Sequence, residues 1–334
     1  MVAPEQEVEN YEIPDVTERP LVIKTRDLTK AFSGEVAVNA ITLEVPEGSI
    51  FGFIGPSGSG KTTTVRLLMG LYEPDGGEVS VLGVRPSRFS RSDRERIGYL
   101  PQLFVLYPDL TIWENMNFAA SLYGVPFWRG RRLNQLLDLV ELRADKYKLV
   151  RNISGGMQRR LSLAATLIHN PDLLFLDEPT AGIDPILRKK FWDYFKQLQE
   201  KGHTLFVTTQ YVSEAAYCDF VGVMSEGRLL TVNTPEGLRR EAYGGDIVKL
   251  GSTERIDYNL RQQVVNLPAL KTKILNATDY ELQLLVDDDA TATPYLVDYF
   301  RDRNKAINSV ESVFPSYDDV FVRLIEKHRD GNNG

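Results

Sequence analysis

The sequence predicts an α/β protein: a doubly wound parallel core carrying antiparallel β and α-helical subdomains, followed by a small α+β domain. Three observations carry this expectation. The apolar run Ile50-Phe51-Gly52-Phe53-Ile54 leads into Gly55-Pro56-Ser57-Gly58-Ser59-Gly60-Lys61-Thr62-Thr63, which fits G-x-x-x-x-G-K-[ST], and a helical pattern with Val65, Leu68 and Met69 on one face leads out. A second apolar run, Leu173-Leu174-Phe175-Leu176, ends in Asp177-Glu178; four consecutive apolar residues suit a strand buried on both faces of a parallel sheet. From there helices and strands alternate as far as Thr209, which places ligands at the C-terminal ends of the strands.

Taken in order, residues 1–19 hold Glu5, Glu7, Glu9, Glu12, Asp15 and Glu18 with two prolines, and read as a disordered acidic tail. Residues 20–240 follow as the main domain. Leu21-Val22-Ile23 and Val36–Val45 read as strands around a turn at Lys30-Ala31-Phe32-Ser33-Gly34. A Gly76-Gly77 turn and Val79–Val84 extend the antiparallel sheet, and Arg96–Gln102 reads as a strand with a polar end. Between about 103 and 152 the pattern becomes helical, at Trp113–Tyr123 and at Leu133–Leu142, where Leu133, Leu136, Leu137 and Val140 share a face. A further helix presents Met157, Leu161, Ala164 and Ile168, and another Leu187, Phe191, Tyr194, Phe195 and Leu198. Residues 241–330 form the α+β domain, with strands at Ile247–Leu250, Thr272–Leu275, Glu281–Val286 and Ala306–Val313 and helices near 255–265, 294–303 and 317–327.

Composition sets the outer limits. A chain of 334 residues suffices for two domains and a substantial core. The net charge of −7 disfavours general attraction to nucleic acid or anionic lipid. One cysteine, Cys218, permits no internal disulfide, as expected in a reducing cytosol. No apolar stretch approaches the roughly 20 residues that span a bilayer, and no signal peptide is evident, so a membrane role requires a partner.

The chemistry of the glycine-rich segment follows from its residues. Gly58 and Gly60 allow the backbone to curl so that successive N–H groups point inward around anionic oxygens. The helix that follows adds its positive end. Lys61 is positioned to reach β- and γ-phosphates, and the Thr62 hydroxyl to ligate Mg²⁺. The expected ligand is a nucleoside triphosphate.

With Ser154-Gly155-Gly156-Met157 about 90 residues after this loop and the acid-ended strand close behind, residues 21–240 resemble the nucleotide-binding subunit of an ATP-binding cassette (ABC) transporter, a P-loop NTPase with a RecA-like core. The resemblance implies ATP and Mg²⁺ as ligands. Asp177 would hold Mg²⁺ directly or through water, and Glu178 would polarise the attacking water. Gln102 resembles the glutamine that touches Mg²⁺ or the lytic water, and Phe32 the aromatic that stacks on adenine. Ser154, Gly155, Gly156 and Met157 resemble the signature that completes the site of a second copy, so that two chains pack head to tail around two shared nucleotides. Asp184, in Ala181-Gly182-Ile183-Asp184, resembles the loop that links the two sites.

Two departures from the family pattern stand out. Ile153 and Met157 replace the common leucine and glutamine of the signature, leaving its Ser-Gly-Gly chemistry intact. Gln210 occupies the switch position usually held by histidine; its amide donates a hydrogen bond but carries no proton charge. Phe314-Pro315-Ser316-Tyr317-Asp318-Asp319-Val320-Phe321 is similar to the ending of daunorubicin-resistance-type exporter ATPases, which also implies export of a drug, lipid or other amphipathic compound. The same residues also read structurally, with Pro315 ending a strand, Ser316 capping a helix and Val320, Phe321 and Leu324 packing. The expected setting is the cytoplasmic face of the membrane, peripheral through an integral permease, with no nucleic acid. Leu103, Phe104, Leu106 and Tyr107 are either the docking surface for that permease or the helical subdomain's own core. The alternative function is a non-transport ABC ATPase, ribosome- or DNA-associated, or a slow regulatory ATP-binding subunit.

Overall fold

Three antiparallel strands, two of them twelve residues long, form the first sheet. In the computed structural model, which describes residues 19–103, 105–267, 270–303 and 307–331, β1 (Leu21–Phe32) pairs with β2 (Glu35–Pro46). The expected turn at Lys30–Gly34 is shorter than the sequence suggested. Lys30 and Ala31 continue the ladder, Phe32 pairs with Glu35, and only Ser33 and Gly34 turn, both with positive φ. The Ala31 N–H also donates to Asp75 at 2.7 Å, which holds this end of the strand extended. The reading of residues 1–19 as an acidic tail falls on residues almost all outside those described, as does Phe104.

The chain then enters the core through β3 (Ile50–Ile54) and α1 (Lys61–Leu68). It returns to the antiparallel sheet as β4 (Gly76–Val81). Gly76 and Gly77 are strand residues rather than the expected turn, Gly76 pairing with Thr29 across an irregularity in the β1 ladder, and the strand stops at Val81. After α2 (Arg91–Glu95), β5 (Ile97–Leu100) joins the core. Next come α3 (Ile112–Leu122), α4 (Gly130–Leu139) and α5 (Gly155–Thr166), which pack on one another. Thr111 and Glu114 close a capping box at the start of α3. The α5 helix ends at Thr166, so Ile168, buried beneath it, lies past the helical face expected for it.

The remaining core elements are β6 (Leu173–Asp177), α6 (Pro185–Glu200), β7 (Thr204–Thr209), β8 (Phe220–Ser225) and β9 (Arg228–Asn233). The six-stranded sheet runs β5-β6-β7-β3-β8-β9, parallel except for the edge pair β8–β9. Every residue of β3, β6, β7 and β8 is buried, so both faces are covered. Phe206 sits at the centre, 5.4 Å from Phe51, 5.3 Å from Phe53 and 5.7 Å from Phe175, ring to ring. Each such pair adds about 0.5–1.5 kcal/mol beyond its buried area. Strand order puts the C-terminal ends of β6, β7 and β3 side by side, where Asp177, Gln210 and the glycine-rich loop stand.

Chain contacts divide the protein at Thr234–Pro235. The second unit holds α7 (Pro235–Tyr243), β10 (Asp246–Ser252), α8 (Tyr258–Val265), β11 (Lys273–Ala277), β12 (Glu281–Val286), α9 (Asp289–Arg301), β13 (Ile307–Val313) and α10 (Tyr317–Gly331). Its sheet is antiparallel with order β11-β12-β10-β13. With one helix after β10 and one after β12, this is the ferredoxin-like β-α-β-β-α-β arrangement. Val248, Leu250, Leu282, Leu284, Leu260, Val264, Leu296 and Phe300 form its core. The α9 helix starts five residues before the expected position 294, because Asp288 accepts the Thr291 N–H and caps it; Pro294 lies inside. Ser316 likewise caps α10 by accepting the Asp319 N–H at 3.2 Å, and Val320 and Leu324 are buried. Among the described residues no helix is long and apolar enough to cross a membrane.

Candidate active site

The phosphate loop hangs from the end of β3. The Gly55 N–H donates to the Thr209 carbonyl on β7 at 3.4 Å, and the Ser59 N–H to the Pro56 carbonyl at 3.2 Å. Gly58 and Gly60 adopt φ of 80° and 101°, conformations that side chains resist. A Cβ on Gly60 would lie 2.3 Å from the Ala37 carbonyl oxygen, whereas one on Gly58 would meet nothing within 4 Å. Gly60 is thus fixed by its neighbours and Gly58 faces open space. Pro56, Ser57 and Gly58 are exposed, Ser59 is buried, and Thr62 and Thr63 are half-buried on the first turn of α1. No side chain caps that helix, so its first N–H groups stay available to an anion.

Lys61 is only 5 % exposed. Its Nζ donates to the Gly55 and Pro56 carbonyls at 2.8 and 2.9 Å, folded back on the loop that it would serve. Burial lowers the pKa of its ammonium, and the carboxylates of Glu178 and Asp177 act in the opposite direction.

Asp177 ends β6 fully buried. Its Oδ1 accepts from the Thr208 hydroxyl and, at 3.3 Å, from the Thr62 hydroxyl; its Oδ2 has no hydrogen-bond partner. A buried carboxylate oxygen without a donor is costly. Beside a threonine hydroxyl it is the hard oxygen set that Mg²⁺ selects. Glu178, next in sequence, is half-buried and holds φ at 52°, unusual for a side-chain-bearing residue. Its N–H donates to both the carbonyl (3.0 Å) and the hydroxyl (3.1 Å) of Thr208, which keeps the strand end turned and the carboxylate out of the sheet.

The structure therefore unites the loop, Thr62, Asp177 and Glu178. Gln102 sits after β5 with its side chain exposed. Phe32 is 41 % exposed at the rim of the antiparallel sheet, its ring edge-on to Tyr72 at 5.3 Å with Lys30 Nζ 5.5 Å from its centre. Ser154 caps α5, its Oγ accepting the Met157 N–H at 3.3 Å. Ser154 and Gly155 are exposed, Gly156 and Met157 half-buried, and a Cβ on Gly155 would meet nothing within 4 Å, so this helix start presents an open face. Of the residues expected either to dock a permease or to pack in the helical subdomain, Leu103 is 77 % exposed, which excludes it from the helical core; Leu106 is half-buried, and Tyr107 leans edge-on against Phe118 at 4.6 Å.

A residue that the sequence did not single out links the chain near Asp184 to the chain near Gln210. Asp184 caps α6, accepting the N–H groups of Ile186 and Leu187 at 3.1 and 3.0 Å. Gln210, exposed, follows β7. Between these segments lies Glu214, 1 % exposed, whose Oε1 accepts from the Thr180 hydroxyl at 2.7 Å and stands 3.8 Å from Arg188 Nε. Arg188 in turn stacks on Tyr211 at 4.4 Å. Arg159 was also missed. Its guanidinium bonds the carbonyls of Pro101, Gln102, Asp177 and Glu178. Asn115 was a third omission, its amide tying the carbonyls of Tyr107, Leu110 and Thr111. The only sequence signal for these was a charged or polar residue on an otherwise apolar helical face.

Comparison with known proteins matches this arrangement. A family model described as ABC transporter aligns with residues 38–181. The probable multidrug ABC transporter ATP-binding protein YbhF of Escherichia coli is 38% identical over 225 residues, 66% of this chain and 38% of that protein. The chain thus spans well under half the length of that relative. Nod factor export ATP-binding protein I of Burkholderia orbicola is 36% identical over 68% of this chain and 76% of its own. The linearmycin resistance ATP-binding protein LnrL of Bacillus subtilis is 33% identical over 69% and 74%. Among solved structures, an ATP binding subunit of an ABC transporter superposes with a TM-score of 0.61 at 27% identity, over 66% of this chain and 92% of that one. A dimeric post-hydrolysis ATP-binding cassette bound to ADP and Pi gives 0.59 at 26% identity, over 64% and 98%.

Proposed function

The chain belongs to the ABC transporter family of ATP-binding proteins, and from that premise we propose that it binds and hydrolyses ATP to power export of an amphipathic compound through a separate membrane subunit. The observation that carries the hydrolytic part is the convergence of Lys61, Thr62, Asp177 and Glu178 where β3 and β6, separated only by β7, come to their ends. The backbone N–H groups of residues 57–62 receive the β-phosphate, and Lys61 exchanges its two carbonyl acceptors for phosphoryl oxygens. Glu178 orients the attacking water and takes its proton. Thr62, Asp177 and Gln102 are the residues that would hold Mg²⁺, which when bound neutralises phosphoryl charge. Phe32 offers a π face for adenine. Gln210 donates to the γ-phosphate in place of the more common imidazole.

The exposed start of α5 supports the shared-site reading. Ser154, Gly155 and Gly156 offer a hydroxyl and backbone N–H groups toward the γ-phosphate held by a second copy, and Asp184 lies on the loop between the two sites. Exposed Leu103, Val105 and Tyr107 supply a surface for the permease, which would hold the chain at the cytoplasmic face of the membrane. The names of the relatives, multidrug, Nod factor and linearmycin resistance, support export.

Phosphate release by the full chain with Mg-ATP tests the reading. Glu178→Gln should lower turnover about 10²–10⁴-fold, the usual contribution of a general base, while ATP still binds; Lys61→Ala should lose binding as well. In ATP, the Glu178→Gln chain should elute as a dimer, and Ser154→Arg added to it should restore the monomer. Unchanged turnover in Glu178→Gln would remove the assigned base, and a dimer that ignores Ser154→Arg would remove the shared site.

A further inference from the structure

We infer that Arg159 is a positioning residue: one buried guanidinium sets the strand end bearing Asp177 and Glu178 and the segment bearing Gln102, and carries the state of the signature helix to both. The inference rests on the hydrolytic reading above and deepens it. Arg159 lies on α5, only 4 % exposed. Its Nη1 donates to the carbonyls of Pro101 (2.9 Å) and Gln102 (3.0 Å), and its Nη2 to those of Asp177 (2.8 Å) and Glu178. These acceptors come from two chain segments about 75 residues apart in sequence, each at the C-terminal end of a strand.

Chemistry explains why an arginine can do this and few other residues can. A planar guanidinium offers five donors in a fixed fork, so it meets four carbonyls without rearranging. Burial opposes its charge, and the carboxylates of Asp177 and Glu178 offset that cost. The bonded groups are the peptide oxygens of the metal-binding and water-orienting residues, not their side chains. Arg159 therefore touches no reacting atom; it fixes the backbone from which the Glu178 carboxylate projects, already held at positive φ. Displacing that backbone by about 1 Å is enough to cost roughly 10²-fold in rate.

The position of Arg159 along its helix adds the second half of the inference. Ser154 caps the same helix five residues earlier, about 7.5 Å away along the axis. A helix of this length moves as a rigid rod. When a nucleotide grips Ser154, any resulting shift of α5 reaches the Asp177–Glu178 turn and the Gln102 segment through a single side chain.

Turnover of Mg-ATP by the full chain, with KM and kcat resolved, decides the matter in Arg159→Met, Arg159→Lys and the pair of each with Glu178→Gln. We expect Arg159→Met to lower kcat about 10–100-fold with KM for ATP within about threefold of the parent. Arg159→Lys, which keeps the charge but reaches fewer carbonyls, should fall between. Because one arm of the guanidinium acts through Glu178, Arg159→Met should lower turnover much less in the Glu178→Gln background than in the parent, the remainder being what passes through the Gln102 segment. Should Arg159→Met fold poorly, the lysine variant carries the same comparison. A kcat within twofold of the parent, or losses that multiply in the double variant, overturns the inference while leaving Glu178 as the base. If Glu178→Gln itself leaves turnover unchanged, the hydrolytic reading falls and this inference with it.

Discussion

Two glycines only two residues apart should respond to the same substitution in different ways. Gly60→Ala places a Cβ 2.3 Å from the Ala37 carbonyl oxygen and 2.7 Å from Met224 Cε at φ 101°. The positive φ costs about 1–2 kcal/mol, and the clash, set by backbone that cannot swing away, about 1–3 kcal/mol more. A total near 3 kcal/mol lowers the melting midpoint of a unit this size by roughly 6–12 °C. Gly58→Ala meets nothing within 4 Å at φ 80°, so only the conformational cost applies, about 1 kcal/mol, or roughly 2–4 °C. Tryptophan fluorescence isolates the measurement, because Trp113, Trp128 and Trp192 all belong to the first unit. Fluorescent-ATP titration on folded Gly58→Ala should show at least about tenfold weaker binding, near 1.4 kcal/mol, since its methyl enters the open space above the loop. Midpoints within about 2 °C of each other for the two variants would refute the assignment of Gly60 as wedged and Gly58 as free.

Three further outcomes follow from the same structure. Glu214→Ala strands the Thr180 hydroxyl and removes the carboxylate beside Arg188, and should cost about 2–3 kcal/mol by urea titration; Glu214→Gln, which keeps an acceptor oxygen, should cost about 1 kcal/mol, and equal losses would mean that the Thr180 bond contributes nothing. Asp184→Ala removes the cap of α6 and should lower the fluorescence midpoint by roughly 2–4 °C, an effect of about 1 kcal/mol, while Asp184→Asn should be nearly neutral. Cys218 is buried, and desolvation together with Glu214 and Asp219 pushes its thiol far above the ordinary range. Its thiolate is therefore scarce at pH 8, and a disulfide reagent should modify the native chain at least about 100-fold more slowly than the urea-unfolded chain; comparable rates would show the site to be open.

The phosphate loop, the acid-ended strand and the helix start at Ser154 were legible because each is a contiguous run whose residue types state their own backbone needs. Continuous apolar runs likewise announced β3 and β6, and helical spacing the amphipathic helices. Errors clustered where glycine or proline was read as punctuation. Gly76 and Gly77 continue a strand because the partner ladder accepts an irregularity at Arg26–Thr29. Pro294 lies within α9 because the capping residue, Asp288, stands six positions earlier. Lys30 and Ala31 stay in β1 because Asp75, far along the chain, bonds both. Local propensity yields to a distant partner in the two strand cases, and to a nearby cap in α9.

By itself the sequence determined that a loop of the phosphate-binding pattern, a strand-end carboxylate and a candidate base exist in this chain, since such groups are written in adjacent residues. Only the tertiary structure decided that Asp177 keeps one buried oxygen without a partner, that Arg159 spans Pro101 to Glu178, that Glu214 ties the Gln210 segment to the Asp184 loop, and that the second unit closes into a β11-β12-β10-β13 sheet. The reason is reach. Hydrogen bonds such as Thr62 to Asp177 join residues more than a hundred positions apart, and no pattern within either segment records which distant group will satisfy it.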